Sequence, residues 1–253
     1  MNIAVRIAPV LVASSVVAAL ALAEGAAHHW SYSGKTGPKS WGAAEKEYEA
    51  CGLGKEQSPI DIRTRKVHAA DLPAIAFDYR PSPLRIVDNG HSVQVNYAPG
   101  SFITVGDARY ELQQFHFHHP SEEKVDGKAF AMVAHLVHKD ASGKVAVVAV
   151  PIAQGRANAL VATLWKHVPA QKGHEEEAPG MSVNAADLLP ANRGYYTFEG
   201  SLTTPPCSEG VRWFVLKAPV TLSRGEIQAF AKLYPMNARP AQPLNGREVA
   251  SSR

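Results

Sequence analysis

The 253-residue chain is poor in several things, and each shortage removes a class of function. Charge of one sign is scarce: 26 Lys and Arg stand against 23 Asp and Glu, a formal net charge of +3. Those basic residues are scattered, without the clustered stripe and interleaved aromatics that nucleic-acid binding needs, so no nucleic-acid partner is expected. Beyond the N-terminus there is no apolar run long enough to span a bilayer. Cysteine occurs only at Cys51 and Cys207, so at most one disulfide can form. In an exported protein such a pair reads as that one disulfide. It would close a loop of more than 150 residues, worth about 4–5 kcal/mol in the chain-entropy model. No Asn-x-Ser/Thr site is present, which is compatible with a periplasmic location, and no internal repeat or long linker divides the mature chain.

The N-terminus is of a different kind. A short basic start, residues 1–6, leads into an apolar run of small residues, 7–21. Ala21-Leu22-Ala23 then matches a small-x-small processing site. This pattern predicts a secretory signal peptide over 1–23, cleaved to leave residues 24–253 at a net charge of +2, with no stable membrane span after processing. The full chain's 45% hydrophobic content is ample for one sizeable core.

The mature chain is organised around Gln114-Phe115-His116-Phe117-His118 and His135-Leu136-Val137-His138. In a strand, alternate residues share a face, so Gln114, His116 and His118 point one way and Phe115 and Phe117 the other. Asp126-Gly127 is a two-residue hairpin turn. Counting back from that turn, paired positions sum to 253, which sets His118 opposite His135 and His116 opposite Val137. Side chains so paired lie about 4.5–5.5 Å apart at Cβ. Pro120 interrupts the ladder and makes the pairing between 119 and 124 irregular. Three imidazoles then converge, a donor set that suits zinc and leaves a fourth position for water.

Elsewhere, alternating segments separated by turns predict strands over 84–87, 92–97, 102–105, 110–118, 129–138, 145–153, 195–198 and 211–216. Short helices are expected over 43–50, 157–167 and 184–189, the last capped by Asn184. Ser223 and Glu226 form a capping box for a helix ending at Tyr234. Residues 174–177, ahead of Pro179-Gly180, read as a solvated loop, and 239–243 as an extended tail. The fold class is therefore mainly β (α+β): a large twisted, mostly antiparallel central sheet with peripheral short helices.

Over nearly the whole mature chain these residues resemble the α-class carbonic anhydrases. The matching pieces are Gln57-Ser58-Pro59-Ile60, Asn89-Gly90-His91, the Gln114–His118 run, Ser121-Glu122, His135-Leu136-Val137-His138, Gly200 through Cys207, Trp213, Asn237, and Arg239 through Leu244. The short link from His118 to Glu122 resembles bacterial members, and the Cys51–Cys207 pair resembles the disulfide of secreted ones.

The resemblance implies one Zn2+ on His116, His118 and His135, and reversible hydration of carbon dioxide to bicarbonate and a proton by zinc-hydroxide attack. It implies Thr203 and Glu122 as the pair that orients the hydroxide, and His91 as the proton shuttle. Val137, Val147, Leu202, Thr204 and Trp213 would form the substrate pocket, and Tyr32, Asn89 and Gln94 the water path. Gln114 and the Asn237 backbone carbonyl would hold His116 and His118. One departure stands out. The family often carries Glu two residues before the third zinc histidine and His directly after the gating Glu; here these positions hold Val133 and Glu123. The acid is moved rather than lost, and Glu123 is expected to reach the free nitrogen of His135. His28, His29, His68, His119, His138, His167 and His174 read as surface or satisfied core histidines. Two other functions stay open on the sequence: a catalytically silent binding domain of the same fold, and zinc-dependent ester hydrolysis. Oligomeric state is not fixed by these residues.

Overall fold

A computed structural model describes residues 30–253. The expected signal peptide, its cleavage after Ala23, and His28 and His29 lie outside the described residues. Thirteen strands form one large sheet. Its main path runs Glu175–Val183, Ser82–Asp88, Val93–Asn96, Ala108–His118, Met132–Lys139, Val145–Gln154, Glu209–Leu216, Tyr195–Ser201, Ala250–Ser252 and His68–Ala70. Most neighbours are antiparallel. The exceptions are Val145–Gln154 with Glu209–Leu216 and Val220–Leu222, and Ala250–Ser252 with His68–Ala70. Disulfide-linked Cys51 and Cys207 tie the early helical turns to the loop after Tyr195–Ser201 (S–S 2.07 Å). No helix among the described residues is long and apolar enough to cross a membrane.

Strand parity divides the core in two. Phe115, Phe117, Leu136, Val148 and Leu216 fill the rear cluster, over which Ala159–Leu164 and Arg224–Leu233 pack through Leu160, Leu164, Ile227 and Phe230. The second helix has the expected capping box, with Ser223 Oγ accepting from the Glu226 amide and the Glu226 carboxylate accepting from the Ser223 amide. The front cluster holds Val133, Val147, Ala149, Phe198, Val211, Trp213 and Val215, with Val137 and Leu202 packed against it. The histidines share this front face with an apolar wall. That arrangement follows from the period of two in each strand.

Three expectations change. The ligand hairpin pairs His118 with Val133, His135 with His116, and Val137 with Gln114, so positions sum to 251 rather than 253. The 253 register does hold beside the turn, where Lys124 faces Ala129 and Val125 faces Lys128. There Asp126 and Gly127 adopt φ of 49° and 81°, as a hairpin with two left-handed turn residues requires. Five residues separate His118 from Lys124 but only three separate Ala129 from Val133, and this two-residue excess shifts the register. An even shift preserves parity, so all three histidines stay on one face. Second, residues 174–177 are not a solvated loop: Glu175–Val183 is an edge strand on Ser82–Asp88, with Arg85 paired to Glu175 at 2.5 Å. Pro179 is tolerated because only one side of that strand is paired, and the register slips between Glu177 and Ser182. Third, the early helix is broken into Trp41–Ala44 and Ala50–Leu53 with a 3-10 turn between them, and the 157–167 helix is regular only over Ala159–Leu164.

Candidate metal centre

His116 and His118 end a long strand, and His135 lies directly across from His116 on the next. One ligand nitrogen from each of the three lies within 4.8 Å of the others. Every ring is fixed from behind. His116 Nδ1 is 2.8 Å from Gln114 Oε1, His118 Nδ1 is 2.7 Å from the Asn237 carbonyl, and His135 Nε2 is 3.0 and 3.2 Å from the two Glu123 oxygens. Each acceptor draws the ring N–H to the outer nitrogen and leaves the inner lone pair facing the cluster. His116 and His118 thus offer Nε2, and His135 offers Nδ1.

Burial makes this costly without an occupant. His118 Nε2 is buried with no hydrogen-bond partner, and so is Glu122 Oε2, 3.6 Å away. Burial drives the His116 pKa down to about 3, with a contribution from His135, and lowers His118 well below the usual histidine range. Burial would also lower His135, but Glu123 and then Glu122 reverse the sign and raise it. Two neutral, inward-facing imidazoles, a third backed by a carboxylate, and an orphaned nitrogen are what a small divalent cation requires. The donor set fits zinc.

Glu122 is buried beneath the cluster, its Oε2 3.9 Å from His135 Nδ1 and its Oε1 accepting from the Arg239 amide at 2.7 Å. Burial pushes its pKa up to about 7; Glu123 adds to the rise, while His135, the Arg239 amide and the Thr203 hydroxyl oppose it. A positive charge among the imidazoles would favour its ionised form. Thr203 is itself buried, in the loop that follows Tyr195–Ser201. That loop is held by Trp213 Nε1 donating to the Ser201 carbonyl (3.0 Å) and the Cys207 amide donating to the Thr204 carbonyl (2.8 Å). Gly200 is required beneath it, because a Cβ there would stand 2.2 Å from Ser58 Oγ.

The model of the eukaryotic-type carbonic anhydrases matches residues 36–253. The chain belongs to the α-class carbonic anhydrases. A carbonic anhydrase of Klebsiella pneumoniae is 46% identical over 228 residues, 88% of this chain and 91% of that protein. One from a Nostoc species is 40% identical, covering 87% and 85%. The α-carbonic anhydrase of Thermovibrio ammonificans, solved with the inhibitor sulfanilamide, superposes with a TM-score of 0.85 at 41% identity, covering 88% of this chain and 99% of that one.

Val137 pairs with Val147 and Val147 with Trp213, and the Trp213 ring lies 5.0 Å from that of His135. Leu202 packs on this wall, and Thr204 sits in the adjoining loop. Gln94 pairs with His116, and Asn89 Nδ2 donates to Gln94 Oε1 at 3.3 Å. Tyr32 Oη is buried without a partner, and burial, then Glu122, raises its pKa well above the usual tyrosine value. The His91 ring stacks on Trp30, with centroids 3.6 Å apart at 8°. His138 is a core residue of the rear face, where Nε2 meets Tyr79 Oη at 2.8 Å and Nδ1 meets the Ala146 carbonyl at 3.3 Å. Sequence reasoning missed Arg239, which is buried and donates to the Ser58 carbonyl (2.7 Å) and the Cys51 carbonyl (2.9 Å) while its amide holds Glu122. Its only sequence signal was its place in the family-like segment 239–244.

Proposed function

We propose that this protein reversibly hydrates carbon dioxide to bicarbonate and a proton, with one zinc ion held by His116 Nε2, His118 Nε2 and His135 Nδ1. The observation that carries the reading is the set of three converging imidazole nitrogens, each backed by its own acceptor, beside an orphaned Glu122 oxygen. A zinc ion so bound would lower the pKa of its water to about 7 and supply a nucleophile at neutral pH.

The chain's own residues do the rest. The Thr203 hydroxyl, which opposes the rise in the Glu122 pKa, would donate to the ionised carboxylate, leaving the threonine oxygen to accept. This fixes where the nucleophile's proton points and turns its lone pair toward substrate. Val137, Val147, Leu202 and Trp213 make a small apolar wall suited to an apolar molecule such as carbon dioxide, and Thr204 borders it. The proton released must leave, and the imidazole of His91 can carry it to buffer. Asn89, Gln94 and Tyr32 would order the water of that way out. The signal-like residues 1–23 and the Cys51–Cys207 disulfide support export, most simply to a periplasm.

The test is stopped-flow hydration of carbon dioxide by the purified protein before and after zinc removal, across about pH 6–9, the window around such a water's pKa. A zinc-dependent rate that rises through an inflection near neutrality is expected. No rate with zinc bound overturns the reading and favours a binding role for the fold.

A further inference from the structure

Asn237 is wholly buried where the chain leaves the last long helix. Its backbone carbonyl meets His118 Nδ1. Its side chain does a separate job. Nδ2 donates to the carbonyls of His91 and Phe117, both at 3.0 Å. Oδ1 accepts from the His119 amide at 2.7 Å, and the Asn237 amide donates to the His119 carbonyl at 3.0 Å. One primary amide therefore joins the end of the strand bearing His116 and His118 to the turn bearing His91. Both of its N–H donors are used.

Gly90 has φ of 86°, and the internal bonds of the turn, from the His91 and Ser92 amides to Asn89 Oδ1 (3.0 and 2.8 Å), shape it without fixing its distance from the imidazole cluster. Ser92 Oγ donates to the Phe117 carbonyl (2.5 Å), which the Asn237 amide shares. The Phe117 amide also donates to Ser92 Oγ (3.2 Å), and the Asn237 side chain adds a direct bond from the same strand end to the His91 backbone. Transfer through a short chain of groups is sensitive to displacements of about 1 Å, which can cost a hundredfold.

We propose that the Asn237 side chain is a positioning residue for proton export, setting the place of His91 relative to the three metal-facing histidines. The proposal rests on the reading of His91 as proton carrier.

Asn237→Asp keeps the backbone carbonyl for His118 and the side-chain volume, but turns an oxygen toward two carbonyl oxygens. In weak buffer kcat should fall about tenfold and much further than kcat/KM, since the lost step follows the attack on substrate. Added imidazole should restore kcat. The His91 Hε1 proton resonance, displaced by the Trp30 ring stacked at 3.6 Å, should move in both metal-free and zinc-loaded protein. His91→Ala should show the same imidazole-rescued fall in kcat, and the double variant should be no worse than His91→Ala. If Asn237→Asp does not fold, Asn237→Ser, with a single donor, takes its place with the same expectations. An equal fall in kcat and kcat/KM without rescue, or an unmoved His91 resonance, overturns the proposal. If His91→Ala leaves kcat unchanged, the carrier reading itself fails and takes the proposal with it. If only His91→Ala lowers kcat, the carrier reading stands and the role of Asn237 falls.

Discussion

Replacing Glu123 by Gln should weaken zinc binding without unfolding the protein. Glu123 is buried, and both its oxygens face His135 Nε2, at 3.0 and 3.2 Å. Its charge holds the ring N–H on Nε2 and makes Nδ1 the better donor to a cation. Glutamine keeps the volume and one acceptor but removes the charge, and its amide can instead donate to Nε2 and so favour the other tautomer. A hydrogen bond to a charged group is worth about 1.5–3 kcal/mol against about 1 for a neutral one. The difference, about 0.5–2 kcal/mol, corresponds to roughly a 2–30-fold change in affinity, which at its upper end meets the 10–100-fold that outer partners of metal ligands command. The assay is zinc competition against a chelator of known affinity at fixed pH, with thermal unfolding of the metal-free protein as the control for fold. Val133 lies two residues before His135 on the same face, where the family often has an acid. Adding Val133→Glu to the Glu123→Gln variant should therefore recover part of the loss. An unchanged affinity in the single variant would refute the reasoning, and with it the idea that the acid has moved.

Two further outcomes follow from the fold. The Cys51–Cys207 bridge spans 156 residues, so Cys51→Ser with Cys207→Ser should lower unfolding stability by about 5 kcal/mol in the chain-entropy model, read as a lower urea midpoint; an unchanged midpoint would show that the link does not constrain the unfolded chain. Burial depresses the His138 pKa to about 3, so between about pH 6 and pH 4 the unfolded chain binds a proton there that the folded one does not, and stability present above pH 6.5 is lost on acidification at up to about 1.4 kcal/mol per pH unit. His138→Asn should flatten the acid limb of the unfolding curve by about one proton, and an identical slope would mean that His138 is not held neutral.

How much of this was legible in the sequence depends on how local the cause is. The capping box at Ser223 and Glu226, the Asn184 cap and the Asp126-Gly127 turn rest on neighbours within three residues, and all three are present. Parity was equally legible, because alternation alone separates His116 and His118 from Phe115 and Phe117. Pairings fixed by distant chain were not. The edge strand Glu175–Val183 carries Pro179 and Gly180 and shows no alternation that marks it; Ser82–Asp88 creates it by offering a free edge. Ala250–Ser252 likewise exists because Tyr195–Ser201 and His68–Ala70 flank it. Arg239 gains its importance from Ser58, Cys51 and Glu122, each more than a hundred residues away.

The misjudged register and the presence of the acids at the site have one cause. Had the hairpin kept a sum of 253 from the turn to the ligands, residues 119–123 would have been ordinary ladder, with Glu122 and Glu123 on opposite faces of one strand. The two extra residues on that side let the segment leave the ladder after His118. Ser121 then anchors it, its amide donating to the Phe130 carbonyl at 3.1 Å and its hydroxyl to the Glu123 carbonyl at 2.9 Å. Freed from alternation, both carboxylates reach the cluster: Glu122 Oε2 lies 3.6 Å from His118 Nε2, and Glu123 Oε1 lies 3.0 Å from His135 Nε2. An excess of one residue would have turned His135 to the rear core, and an excess of none would have kept one acid out. Two is the smallest excess that keeps the three histidines together and brings both acids to them.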